Sequence, residues 1–125
     1  MPLLEVWVVE DPHHALPAGT AQALADALGP ALGSAPGHTW VRLQRVSPAD
    51  YAEQEAAVAA APVFIELGLR GPVEDAAELL ERLTPLAAQA LGRAPEWVHL
   101  RLLPPLGGRQ AFGGRWVPPL ESRER

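Results

Sequence analysis

The chain has no cysteine and no lysine. Without cysteine it can form no disulfide, thiolate nucleophile or zinc–thiolate site. Without lysine its fixed positive charge rests on ten arginines, and the amine at its N-terminus is the only aliphatic amine. Positive charge is also outweighed. A formal net charge of -5 argues against the clustered basic surface that nucleic acid or an anionic membrane requires. No apolar run approaches the ~20 residues of a membrane span. Glu5, Glu10 and Asp11 interrupt the first apolar stretch, so no signal peptide is expected and a cytoplasmic location is. Gly107-Gly108 and Gly113-Gly114 are turn signals with no following helix, hence no phosphate loop. His13, His14 and His99 share no zinc-ligand spacing with the acids, and Ser34, Ser47 and Ser122 have no His/Asp constellation. The sequence implies no metal and no cofactor.

What is present begins at residue 2. Met1-Pro2 is a context from which the methionine is usually removed, which would leave a free secondary amine on Pro2. Prolyl nitrogen inside a chain is an amide with no basicity; at a terminus it has a lone pair whose direction the ring fixes. A free α-amine starts at a pKa of about 7.7–8.0. Burial and neighbouring arginines disfavour its cation and lower that value toward the range of a general base. The plainer alternative is a proline that merely starts an edge strand.

The apolar pattern predicts two similar halves. Pro2–Val9 reads as a strand with Leu4, Val6 and Val8 on one face; a helix is predicted from about Pro17 to Leu32, ended or kinked by Gly29-Pro30; a second strand covers Thr39–Val46. The order then restarts, with a strand over Val63–Arg70, a helix over Val73–Leu91 bent at Pro85, and a strand over Trp97–Leu103. Ala31-Leu32-Gly33-Ser34-Ala35-Pro36 matches Ala90-Leu91-Gly92-Arg93-Ala94-Pro95. Trp40-Val41-Arg42-Leu43 matches Trp97-Val98-His99-Leu100, and Glu5 matches Glu66. This predicts an α/β (α+β) chain that forms one domain over 1–125. Repeat 1 covers 1–56 and repeat 2 covers 62–117, with a tail over 118–125. The duplicated β-α-β units would build a four-stranded sheet with two helices on one face. Glu5, Trp7, Trp40, Arg42, Glu66, Trp97, His99 and Arg101 would occupy the other face. That face is too aromatic to be simply wet and too charged for a monomer core, so it reads as an oligomer interface with polar cavities.

Met1-Pro2 at the head of a strand, Ala35-Pro36 followed by Val41-Arg42-Leu43, and Phe112-Gly113-Gly114 near the C-terminus together resemble the tautomerase superfamily. That group contains 4-oxalocrotonate tautomerase, macrophage migration inhibitory factor and malonate semialdehyde decarboxylase. The two-unit length resembles its fused members, which assemble as trimers. The resemblance implies a cofactor-free isomerase moving a proton on a small 2-oxo or unsaturated carboxylic acid. Pro2 would be the base, and Arg42 and Arg70 the catalytic arginines that bind the acid and polarise its carbonyl. It further implies Tyr51, Phe112 and Arg115 as substrate contacts, and a homotrimer with one active site per chain. Arg42 is also open to an interface ion pair with Glu5 or Glu66, and Tyr51 to simple packing. Alternative readings are a hydratase, dehalogenase or decarboxylase with protonated Pro2, or a non-catalytic binding protein. Pro72 stands where the decarboxylase and dehalogenase branches carry a second arginine, which weakens that assignment.

Overall fold

Alternation along each strand decides which side of the sheet is covered. In the computed structural model, which describes residues 1–58 and 60–120, β1 (Leu3–Val9) buries Leu4, Val6 and Val8, and β3 (Val63–Gly68) buries Val63, Ile65 and Leu67. These six pack against Leu24 and Leu28 of α1 (Thr20–Ala31) and against Leu79, Leu83 and Ala87 of α2 (Ala76–Leu91). Both helices therefore lie on the one face. Each fully buried leucine contributes about 1.5–3 kcal/mol, so this layer carries most of the apolar stabilisation.

Two outer strands complete the sheet, β2 (Trp40–Val46) and β4 (Val98–Leu102), in the order β2-β1-β3-β4. β2 runs parallel to β1 and β4 parallel to β3, while the central β1–β3 pair is antiparallel. The result is two β-α-β units packed in opposite directions, a mixed four-stranded sheet with two helices. A small antiparallel hairpin follows, formed by β5 (Gln110–Phe112) and β6 (Arg115–Val117). Of the tail expected over 118–125, residues 121–125 lie outside the described residues. Among the described residues no helix is long and apolar enough to cross a membrane.

The element ends differ from the sequence reading for local reasons. α1 starts at Thr20 rather than Pro17, because Gly19 adopts a left-handed conformation (φ 81°) and Thr20 Oγ1 donates back to the Pro17 carbonyl at 2.6 Å. α2 starts at Ala76 rather than Val73, because the Asp75 carboxylate accepts the Glu78 N–H at 3.0 Å. That contact is an N-cap. Asp75→Ala is expected to cost about 1 kcal/mol, read as a lower urea midpoint with an unchanged slope. Trp97 does not belong to β4. It closes a 3₁₀ turn over Pro95–Trp97, which removes it from the strand on whose open face the alternating pattern puts it.

The ladder also corrects how the halves correspond. Glu5 stands opposite Glu66 at the centre of the sheet, with Arg42 across from Glu5 and Arg101 across from Glu66. With Glu5 matched to Glu66, the counterpart of Arg42 is Arg101, not His99. The tryptophan match and the glutamate match conflict in register, since the first puts His99 and the second Arg101 at the place of Arg42. His99 pairs instead with Phe64 and packs against its ring at a centroid distance of 5.3 Å.

Candidate active site

The head of the chain is held against the sheet. The Pro2 carbonyl accepts the Trp40 N–H at 3.0 Å, fixing the residue ahead of β1 against β2. Because β1 and β3 are antiparallel, with Leu3 opposite Gly68, the segment leaving β3 lies beside the start of β1. This is why Arg70, two residues past β3, reaches the amino terminus. The α-amine here is that of Met1. Partial burial, and then the charge of Arg70, hold its pKa below the ordinary 8.0.

Arg70 is itself held by the C-terminal segment. Its Nε donates to the Pro118 carbonyl at 2.9 Å, and its own carbonyl accepts the Gly107 N–H at 3.0 Å. The fit at Gly107 is close. A Cβ there would lie 2.8 Å from the Arg70 carbonyl oxygen and 2.9 Å from Pro119 Cα. Both are backbone atoms, so only glycine is accommodated without displacement.

Arg42 is engaged by Glu5. Its Nε donates to Glu5 Oε1 at 2.8 Å, and its Nη2 donates to the same oxygen. The guanidinium stays largely exposed, and the carboxylate raises its pKa above the ordinary arginine value. Arg101 and Glu66 form the corresponding, looser pair at 3.8 Å. Beside the Glu5–Arg42 pair lies a cavity of about 470 Å³, within the range of small-molecule sites. Leu3, Glu5, Trp40, Arg42, Arg109 and Phe112 line it. Phe112, the last residue of β5, meets Trp40 edge-on with ring centroids 5.1 Å apart. The structure thus brings Arg42 and Phe112 together at the end of the sheet where the chain begins, and Arg70 to the terminus itself.

Two other sequence candidates lie elsewhere in the chain. Tyr51 packs on Phe64 at 5.8 Å and lines a separate cavity with Trp7, Val46 and His99. That cavity lies toward the far end of β1, where Trp7 and Val9 stand roughly 13 and 20 Å along the strand from Leu3, so Tyr51 does not face the Pro2 end within one chain. Its hydroxyl donates to Glu53 Oε2 at 2.7 Å, and this bond raises its pKa above the ordinary 10. Arg115 is exposed on β6 across from Phe112 and outside the cavity lining. His14 is occupied by Asp11, with its Nδ1 3.0 Å from the carboxylate.

Arg109 is the residue the sequence reading passed over. The Gly107-Gly108 turn places it: the Arg109 N–H donates to the Leu106 carbonyl at 3.0 Å, and Trp116 Nε1 donates to the Gly108 carbonyl at 3.2 Å. The turn was legible; the arginine it delivers to the cavity was not.

No family model and no curated protein matches this sequence. Solved structures do match its shape. A fused 4-OT, described as a wild-type symmetric trimer, superposes with a TM-score of 0.66 at 21% identity, over 90% of this chain and 95% of its own. The macrophage migration inhibitory factor of Oncomelania hupensis gives 0.70 at 18% identity, over 94% of this chain and 82% of its own. The FG41 malonate semialdehyde decarboxylase inhibited by 3-bromopropiolate gives 0.62 at 18%, over 89% and 88%. The chain has the tautomerase fold. Its two-unit architecture is similar to that of the fused 4-OT structures.

Proposed function

We propose that this protein is a cofactor-free isomerase acting on a small 2-oxo or unsaturated carboxylic acid, with Pro2 as the amino-terminal base once Met1 is removed. One observation carries the reading: the α-amine of Met1 is partly buried beside Arg70 and both influences favour its neutral form, and we carry that direction over to the Pro2 amine that removal of Met1 would expose. In the proposed reaction the Pro2 nitrogen takes a proton from the carbon beside the carbonyl, or from the hydroxyl when the substrate enters as its enol. Arginine stabilises the negative charge that develops on oxygen, and the proton returns at another carbon. Arg70 and an arginine of the cavity hold the acid, and Trp40 and Phe112 form the apolar wall.

The assembly proposed is a cytoplasmic homotrimer with three sites. Its support is the uncovered face of the sheet, which carries Trp7, Trp40 and Phe64 among paired charges, and the symmetric trimer formed by the fused 4-OT. Tyr51 and Arg115 enter this proposal as residues that a neighbouring copy would present. Light scattering on the purified chain should give three times the 13.4 kDa mass.

The direction of the amine's pKa separates a base from an acid. A lowered pKa populates the neutral nitrogen at lower pH. kcat/KM for phenylenolpyruvate ketonisation should therefore rise with pH and level off, with its midpoint below the about 7.7–8.0 of a free α-amine. A profile that falls with pH through that limb would identify a protonated Pro2 and the hydratase, dehalogenase or decarboxylase reading. Intact mass after treatment with a 2-oxo acid and a hydride reductant adds a direct test. One adduct on the first tryptic peptide of a chain lacking Met1 is the expected result, since no lysine competes. Retained Met1 would remove Pro2 from the chemistry.

A further inference from the structure

The cavity at the head of β1 is lined by two arginines in different states. Arg42 gives both Nε and Nη2 to Glu5. Arg109 is exposed and, among the described residues, its side chain pairs with no acceptor, although its backbone is fixed by the turn at Leu106–Arg109. An entering carboxylate meets Arg109 without displacing any partner among the described residues. To reach Arg42 it must compete with a carboxylate already in place, and it is repelled by that carboxylate until it does.

We propose that Arg109, rather than Arg42, anchors the substrate carboxylate, and that Glu5 makes the cavity selective for monocarboxylates over dicarboxylates. The inference rests on the isomerase reading only for the identity of the reacting acid; the binding preference stands on the cavity alone. With Arg42, Arg109 and Glu5 lining it, the cavity has a formal charge of +1, matched by one carboxylate. A second carboxylate finds its arginine neutralised and Glu5 beside it. The remainder of the ligand contacts Trp40, Phe112 and Leu3, which suits an apolar or aromatic group. The favoured ligand is an aryl- or alkyl-bearing monoacid.

Binding of 3-phenylpropanoate and of adipate to the full chain, measured by calorimetry, tests this without turnover. Wild type should prefer the monoacid. R109Q should weaken 3-phenylpropanoate about tenfold, and R42Q by much less. E5Q releases Arg42, and the affinity ratio of adipate to 3-phenylpropanoate should rise about fivefold. R109Q behaving as wild type, R42Q giving the larger loss, or E5Q leaving the ratio unchanged would overturn the proposal, as would a wild-type chain that binds neither acid. Circular dichroism of each variant confirms that the fold is retained. The isomerase reading fails separately, if Pro2→Ala ketonises phenylenolpyruvate as fast as wild type while the binding pattern holds.

Discussion

Pro2→Ala is expected to lower kcat/KM for phenylenolpyruvate ketonisation about 100-fold. A positioned general base contributes roughly 10²–10⁴-fold, and this variant falls at the low end because the substituted alanine, after loss of Met1, still presents a primary amine. What it loses is the ring that fixes the lone pair against β2, where the Pro2 carbonyl holds the Trp40 N–H. Binding should survive, since Arg42, Arg109 and the Trp40–Phe112 wall are untouched. The check is therefore a split: kcat falls while the affinity for 3-phenylpropanoate stays within about twofold. Equal losses in both would mean that the residue shapes the cavity and does not serve as its base.

The largest effect on stability is expected at Leu83. Its side chain is fully buried between α2 and the sheet, in contact with the core built by β1 and β3. Leu→Ala at such a site costs about 3 kcal/mol, the lost transfer energy plus the cavity left behind. For a domain of this size that is roughly a 10–15 °C fall in Tm. Calorimetry on Leu83→Ala beside Leu86→Ala gives the comparison, because Leu86 is only partly buried against the same cluster and should lose less. Equal losses would show that the core is not concentrated where α2 meets the central strands.

The layer arrangement was legible because alternation in Leu4, Val6, Val8 and in Val63, Ile65, Leu67 points directly to a half-covered sheet. Helix starts were less so. Asp75 and Gly19 act through backbone geometry and a single capping bond, while the apolar residues Val73 and Ala18 extend the periodic pattern past the true ends. Trp97 escapes the pattern because Pro95 opens a 3₁₀ turn that strand alternation cannot register. Of the residues lining the candidate cavity, Arg42 and Phe112 could be picked out by type and order. The partner of Arg42 was one of two glutamates until the parallel ladder put Glu5 beside it. Arg109 gave no signal, since its importance comes from where a glycine turn delivers it across 67 residues from Arg42.

The antiparallel join between the two halves has a lasting consequence. The first half enters at one end of the central β1–β3 pair, and the second enters at the opposite end with Pro62, whose side chain is buried and whose carbonyl accepts the Val9 N–H at 3.1 Å. Pro62 is a proline at a strand entrance, yet its nitrogen is locked in a peptide bond. No replacement of one amino acid by another can free that backbone nitrogen from its amide. Only a cut in the backbone between Ala61 and Pro62 could, so joining the halves confines the proposed terminal-amine chemistry to one pole of each molecule.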